Sequence, residues 1–119
     1  MAESLFNRLG GAENVSKIAN DLVENHLINP AISTRFATVD AAKLKVLADT
    51  FITSGTGGPD VYRGKSMIAA HKGMNISATE FMAVLDDALK ALSDNGVGQP
   101  EQEEMLFILY SMRAEVVLV

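Results

Sequence analysis

Apolar side chains recur at helical spacing through most of this 119-residue chain. No stretch alternates apolar and polar side chains with the period that marks a half-buried strand. The clearest helical stripe follows Ser77, which forms a capping-box pattern with Glu80. That stripe consists of Phe81, Val84, Leu85, Ala88, Leu89 and Leu92. This periodicity predicts an all-α fold.

Glycine, proline and capping residues divide the pattern into four substantial helices and two or three short pieces. The first half of the chain is expected to form a turn around Leu5, Phe6 and Leu9 that stops at Gly10-Gly11, a helix whose apolar stripe runs from Val15 to Leu27, and a short piece over 31–36. A helix capped by Asp40 then ends at Gly55-Thr56-Gly57-Gly58-Pro59, and an extended loop follows over 60–65. The remaining predicted elements are a short helix that stops at Gly73, the helix after Ser77, and a last helix that Pro100 opens. The inner face of that last helix is predicted to hold Met105, Leu106, Ile108, Leu109 and Met112.

The composition predicts one globular domain over residues 1–119, because 48% of the residues are hydrophobic and 21% are charged. The net charge of -5 argues against nucleic acid as a partner, since phosphate binding needs clustered cations. The chain has no cysteine, which excludes disulfides, iron–sulfur clusters and thiol nucleophiles. We see no membrane-length apolar run and no signal-peptide pattern at the start, and we expect a cytoplasmic monomer or weak homodimer.

His71 is one of two histidines, and it closes a short predicted helix. A histidine in the last helical turn can donate from Nδ1 to the carbonyl four residues earlier, here that of Met67. Such a bond leaves Nε2 as a neutral electron-pair donor, which suits a metal ligand. No other histidine, cysteine or close carboxylate is spaced to complete a protein-only metal cage. A single imidazole is enough when a macrocycle supplies the other ligands, as in a haem.

Four segments of the sequence occur together in one protein family. They are Leu5-Phe6-Asn7-Arg8-Leu9-Gly10-Gly11, Phe36 at the end of a short helix, Gly57-Gly58-Pro59-Asp60-Val61-Tyr62-Arg63-Gly64, and Met67-Ile68-Ala69-Ala70-His71-Lys72-Gly73-Met74-Asn75-Ile76. In this combination the chain, from Leu5 to about Val117, resembles the truncated haemoglobins, most closely group I. The resemblance implies a globin of two helix pairs packed two over two and a haem b cofactor. It also implies a diatomic gas ligand (O2, CO or NO), a role such as oxygen transport, and a reductase as a candidate partner.

The resemblance also assigns roles to individual residues. By position, His71 matches the histidine that binds haem iron, and Phe36 matches the phenylalanine on the porphyrin face. Tyr62 and Arg63 match the segment near a propionate, and Lys43 is a second cation for the haem carboxylates. The remaining predicted cavity residues are Leu44, Leu47, Ala48, Phe51, Met67, Ala70, Ile76, Phe81 and Val84. Ordinary core packing is the alternative for the apolar residues, and a solvated surface position is the alternative for Lys43 and Arg63.

The chain departs from the family at the positions that usually hold dioxygen. Val23 stands in place of the family's tyrosine, and Leu44 and Ala48 stand in place of its glutamines, with Leu47 between them. None of these side chains can donate a hydrogen bond. Such a bond to a partly charged ligand contributes about 1.5–3 kcal/mol, so its loss should speed dioxygen release roughly 10- to 150-fold. We therefore expect fast gas exchange rather than tight oxygen storage.

Other interpretations remain open on the sequence alone. The missing hydrogen-bond donors argue against the interpretation that the chain is a nitric oxide dioxygenase or another redox enzyme, and we name no catalytic residue. A haem-free globin-fold sensor or interaction module would keep His71 as a core residue. His26 could enter the distal cavity, ligate the iron as a sixth ligand, or form a hydrogen-bonded core contact. Asp86-Asp87 is expected to lie on a solvated face.

Overall fold

The computed structural model describes residues 3–119, which fold into helices with no strand. The helices are α1 (Leu5–Arg8), α2 (Gly11–Ile28), α3 (Ala41–Gly55), α4 (Met67–His71), α5 (Ala78–Asp94), α6 (Gln99–Tyr110) and α7 (Arg113–Val116), with a 3-10 turn over Ser33–Phe36. The all-α prediction is confirmed, and the four long helices are those predicted. No helix among the described residues is both long and apolar enough to span a bilayer.

Both predicted helix caps are confirmed. The Asp40 carboxylate accepts hydrogen bonds from the backbone N–H groups of Ala42, at 3.0 Å, and of Lys43, at 3.3 Å. At the start of α5, Glu80 N–H donates to Ser77 Oγ at 3.0 Å, and Ser77 N–H donates back to the Glu80 carboxylate at 3.1 Å. These side chains satisfy N–H groups that have no partner inside the helix.

The end of the chain differs from the prediction of one continuous last helix. Helix α6 stops at Tyr110, and the separate helix α7 follows, so the described residues hold four short pieces rather than two or three. Ser111 Oγ donates to the carbonyl of Ile108 at 2.6 Å, a local bond that competes with helix propagation. Of the predicted inner face of α6, Met105 is buried and the other members are half-buried.

The long helices form two layers. Helix α2 contacts both α3 and α5, and α5 contacts α6, which gives the predicted two-over-two arrangement. One core cluster gathers buried residues of α1, α2, α3, α5 and α6 around Leu9 and Ile18. A smaller cluster gathers Phe81 and Leu85 with residues near the C-terminal end of the chain. Members of both clusters line the cavity described below.

A close backbone approach at Gly58 fixes the turn that follows α3. A Cβ atom at this position would lie 2.8 Å from the Phe6 ring and 2.8 Å from the carbonyl oxygen of Thr53. The neighbouring Gly57 has a φ of +93°, which side-chain-bearing residues rarely adopt. The glycine pair therefore lets the chain leave α3 against α1 and continue toward α4.

Candidate haem site

A cavity of about 250 Å³ opens between the two helix layers. Its lining residues come from α2, the 3-10 turn, α3, α4, α5, α6 and α7. Nineteen of the 22 lining residues are apolar, and the other three are Arg35, His71 and Glu80. Such an apolar space with few polar groups suits a flat organic cofactor.

His71 lies at the end of α4, and its ring forms part of the cavity lining. The Nδ1 atom is 2.8 Å from the carbonyl oxygen of Met67, so the predicted hydrogen bond is confirmed. An oxygen acceptor at this distance places the proton on Nδ1 and leaves the lone pair on Nε2. Among residues 3–119, Nε2 has no hydrogen-bond partner, which leaves it able to bind a metal. Ser66, whose hydroxyl accepts from the N–H of Ala69 at 3.2 Å, fixes the start of this short helix.

The fold gathers eight of the predicted cofactor residues around this cavity. They come from the 3-10 turn and from α3, α4, α5 and the segment between α4 and α5. These residues are Phe36, Ala48, Phe51, Met67, His71, Ile76, Phe81 and Val84. Residues up to 48 positions apart in the sequence therefore share one surface around the cavity.

Six other predicted residues lie outside the lining, namely Lys43, Leu44, Leu47, Tyr62, Arg63 and Ala70. Tyr62 packs edge-on against the cavity residue Phe51, with ring centroids 5.4 Å apart. The Arg63 side chain is 75% exposed and donates to the backbone carbonyls of Tyr62 and Asp60. Their contacts with a cofactor remain predictions.

Helix α2 presents a different residue to the cavity than the sequence suggested. Val23 is buried, with 1% of its surface exposed, but it does not line the cavity. Leu22 and Ile18 line it instead. Adjacent helical positions differ by about 100° in direction, so periodicity alone could not choose between Leu22 and Val23.

An ion pair in the cavity wall was missed by the sequence analysis. Arg35 donates from Nε and Nη2 to the two carboxylate oxygens of Glu80, at 2.7 and 2.9 Å, and from Nη1 to the Met74 carbonyl at 2.7 Å. These bonds tie the 3-10 turn to α5 and to the segment after α4. The Arg35 guanidinium, together with the Ser77 N–H, lowers the pKa of Glu80 to about 2. The sequence predicted only the helix-capping role of Glu80 and gave no indication of its ion pair with Arg35.

A second polar cluster lies behind Phe36. His26 Nδ1 is 2.7 Å from Asp87 Oδ2, and Asn29 donates to the same carboxylate at 3.1 Å. The prediction of a solvated Asp87 is wrong, because only 8% of this residue is exposed. Burial lowers the pKa of His26, and the hydrogen bond to Asp87 opposes that effect. His26 does not line the cavity, and its ring stacks on Phe36 instead.

The residues present fit a haem. The cavity offers apolar walls for a porphyrin, and Phe36 provides an aromatic ring beside it. His71 offers one oriented imidazole, which is one of the side chains that hold haem iron in proteins. Within residues 3–119 no group of three or more His, Asp or Glu side chains gathers around a common metal position.

Comparison with known proteins agrees with this geometry. Residues 4–117 match the family model described as bacterial-like globin. The chain belongs to the bacterial-like globin family. This globin is 34% identical, over 98 residues, to the group 1 truncated haemoglobin GlbN of Synechocystis, an alignment that covers 79% of each chain. The predicted resemblance to group I truncated haemoglobins is thereby confirmed.

Solved structures place this globin in the same fold. The truncated haemoglobin of Tetrahymena pyriformis in its Fe(III) form superposes with a TM-score of 0.95 at 24% identity, over 98% of this chain and 100% of that one. The 2/2 haemoglobin of Synechococcus, solved in the cyanomet state with covalently attached haem, gives a TM-score of 0.89 at 27% identity, over 97% and 98% of the two chains. The two-over-two prediction is confirmed, and this chain is a haem-binding globin.

Proposed function

We propose that this globin holds haem b through His71 and reversibly binds a diatomic gas at the iron. The observation that carries the proposal is the 2.8 Å contact between His71 Nδ1 and the Met67 carbonyl, because it leaves Nε2 of this cavity-lining residue without a hydrogen-bond partner among the described residues. Bound haem supplies an iron whose remaining position accepts O2, CO or NO. The absence of cysteine favours haem b, since the chain has no thiol for a thioether link to the porphyrin.

The polarity of the cavity favours rapid exchange of dioxygen. Ala48, Leu22 and Ile18 contribute only apolar atoms to the lining. Among the described lining residues, the polar atoms of Arg35 and Glu80 are engaged with each other. A partly charged dioxygen ligand would therefore lack a strong hydrogen-bond donor, whereas carbon monoxide needs none.

The same geometry disfavours redox chemistry that consumes protons in the cavity. Such chemistry needs a group that exchanges a proton near neutral pH. Glu80 is the carboxylate in the cavity lining, and its pKa of about 2 keeps it ionised across that range. His26 is bonded to Asp87 behind the Phe36 ring. We therefore infer gas binding rather than peroxidase catalysis, and the missing hydrogen-bond donor likewise disfavours a nitric oxide dioxygenase, which needs a long-lived dioxygen complex.

Titration of the purified protein with haem, followed by absorbance, tests the proposal. We expect an intense Soret band at one haem per chain, and a further shift of that band when carbon monoxide is added to the reduced protein. His71→Ala should lose both features because no other imidazole faces the cavity among the described residues.

The matched control is His26→Asn, which removes the other histidine but keeps an N–H donor toward Asp87. This variant should bind haem and carbon monoxide as the parent chain does. Normal spectra in His71→Ala, or loss of them only in His26→Asn, would contradict the assignment of His71. A chain that takes up no haem at all would favour the haem-free module instead.

A further inference from the structure

The charged side chains of this globin are unevenly distributed. Residues 40–75 carry five cations and three carboxylates, whereas the rest of the chain carries five cations and twelve carboxylates. The basic segment comprises α3, the following loop, α4 and the turn after it. It supplies Ala48, Phe51, Met67 and His71 to the cavity lining. The wall that bears the proposed iron ligand is therefore the basic part of an acidic protein.

Four exposed cations of this segment, Lys43, Arg63, Lys65 and Lys72, form what we call the basic rim. Among the described residues, the three lysines of the rim make no ion pair, and Arg63 only approaches the exposed Asp60 at 3.8 Å. The remaining cation of residues 40–75, Lys45, forms an ion pair with Glu24, with Lys45 Nζ 2.5 Å from Glu24 Oε1. The charges of Lys65 and Lys72 are thus available to a partner, whereas Lys43 and Arg63 are also the cations predicted for the haem carboxylates.

The local packing places the loop and α4 parts of the basic rim beside the cavity. Lys72 directly follows His71. The ring of Tyr62 packs on the lining residue Phe51, and its hydroxyl donates to the Lys65 carbonyl at 2.7 Å. The backbone that carries Lys65 therefore lies one side chain away from the cavity.

The α3 part of the basic rim lies on the helix face that meets the same loop. Lys43, Leu47 and Ser54 fall within about 40° of one another around the helix axis. Ser54 Oγ accepts hydrogen bonds at 3.0 Å from the N–H groups of Val61 and Tyr62. A carboxylate of α3 outside this face, Asp49, instead accepts a hydrogen bond from Ser16 of α2 at 2.6 Å.

Exposed apolar side chains lie among these cations. Leu47 is 43% exposed, Val61 is 40% exposed and Ile68 is 51% exposed. Apolar contacts within a charged border are the usual composition of a protein docking surface. The chain extends 41 × 24 × 24 Å, so carboxylates on the far side lie beyond the screening length of about 8 Å at physiological salt. An approaching partner therefore meets the rim charge rather than the net charge.

We propose that the basic rim is the docking surface for a small acidic electron-carrier protein that reduces the haem iron. The inference rests on the proposed function, because it needs haem in the cavity beside His71. The carrier would supply one electron, so that it is oxidised by one electron as the ferric haem iron that His71 would hold is reduced by one. The rim brings the acidic carrier to the cavity wall by electrostatic attraction.

Reduction of the haem-loaded ferric protein by two small reagents tests the charge of the rim. Fe(EDTA)²⁻ is anionic and hexaammineruthenium(II) is cationic, and both donate one electron. In stopped flow between about 100 and 500 mM ionic strength, where the screening length stays at or below about 10 Å, we expect the rate with the anion to fall as salt increases. The rate with the cation should rise. A protein that presented only its net charge of -5 would give the opposite slopes, and that result would overturn the inference.

Matched variants locate the effect. Lys65→Gln/Lys72→Gln removes two rim charges, and Lys17→Gln/Lys90→Gln removes two exposed charges from α2 and α5. At about 100 mM ionic strength the first variant should react with Fe(EDTA)²⁻ about two- to tenfold more slowly than the parent chain. The second should stay within about 1.5-fold of the parent rate. Equal slowing of Fe(EDTA)²⁻ reduction in the two double variants would overturn the assignment of the attracting charge to the basic rim.

A photoreduced plant-type ferredoxin, which is a small acidic protein, tests the docking step itself. Its rate should fall with salt and should fall further in Lys65→Gln/Lys72→Gln. A variant effect on Fe(EDTA)²⁻ without one on ferredoxin would overturn the protein partner and leave a surface for small anions. Haem content and the carbon monoxide spectrum, measured first, separate the two proposals. Failure to bind haem overturns both, whereas a wrong salt slope in a haem-loaded protein overturns only this one.

Discussion

The imidazole of His26 stacks on the ring of Phe36, with the ring centroids 5.5 Å apart and the planes 15° apart. Phe36 lines the cavity, and His26 on its other side is hydrogen-bonded to the buried Asp87 of α5. The aromatic ring in the cavity wall is therefore supported by a polar contact between two long helices. Apolar packing alone does not set its position.

Removing that support should destabilise the fold. In His26→Ala the Asp87 carboxylate stays buried and retains only its hydrogen bond from Asn29. We expect the free energy of unfolding to fall by about 3 kcal/mol. Urea denaturation followed by circular dichroism measures it. Lys90→Ala, which breaks the exposed pair with Asp94, should leave the free energy of unfolding almost unchanged, because solvent screens that pair. An equal loss of unfolding free energy in the two variants would show that the buried His26–Asp87 contact stabilises the fold no more than an exposed ion pair does.

The ion pair between Glu80 and Arg35 should make the free energy of unfolding depend on pH. Its pKa is about 2 in the folded chain against an ordinary value of 4.5, so its contribution is complete above that ordinary value and is lost as the pH falls toward 2. Glu80→Gln should lower the free energy of unfolding at neutral pH by about 1–2 kcal/mol, a figure reduced for solvent exposure. The difference between the parent chain and the variant should then close between about pH 5 and pH 2.

Denaturant titrations at several pH values check this dependence. The control is Glu103→Gln, an exposed residue of α6 that makes no ion pair among the described residues. Its curve should run parallel to that of the parent chain. A gap between Glu80→Gln and the parent that stays constant down to low pH would contradict the role given to the Arg35 pair.

A donor placed in the cavity should slow dioxygen release. Ala48 lines the cavity, and Ala48→Gln adds an amide N–H that can reach a partly charged ligand. We expect dioxygen dissociation to slow by roughly 10- to 100-fold, and carbon monoxide dissociation to change by less than about 3-fold. Stopped-flow ligand replacement gives both rates. Ala48→Leu adds bulk without a donor, so an equal slowing in that variant would assign the effect to size.

Two glycines near the end of α3, Gly55 in the helix and Gly58 in the turn after it, should respond in opposite directions to alanine. A Cβ at Gly58 would lie 2.8 Å from both the Phe6 ring and the Thr53 carbonyl oxygen, whereas nothing lies within 4 Å of a Cβ at Gly55. Thermal unfolding should show Gly58→Ala destabilised by about 1–3 kcal/mol. Gly55→Ala, at the end of α3, should be stabilised by up to about 1 kcal/mol. The close approach would be refuted if Gly58→Ala were also more stable.

Features that depend on neighbouring residues were predictable from the sequence. The capping box of Ser77 and Glu80 involves residues three positions apart, and the His71–Met67 bond involves residues four positions apart. Helical geometry alone brings such residues together. Glycine pairs and capping residues likewise set the ends of the long helices. The break at Ser111 was missed because nothing but a serine marks it.

Contacts between distant residues could not be predicted in this way. His26 and Asp87 are 61 positions apart, and Arg35 and Glu80 are 45 apart. Each pair depends on how helices are rotated and packed against one another, which an apolar stripe does not specify. A single sequence therefore indicated the cofactor and its iron ligand but not the polar supports around them.

Chemical rescue of the iron ligand tests the central claim most directly. His71→Gly removes the imidazole from the cavity wall and leaves space for a free imidazole molecule. We predict that this variant, loaded with haem and reduced, lacks the carbon monoxide spectrum of the parent chain and regains it when imidazole is added. A variant that shows the parent spectrum without imidazole would contradict the account, because the iron would then take its ligand from another side chain.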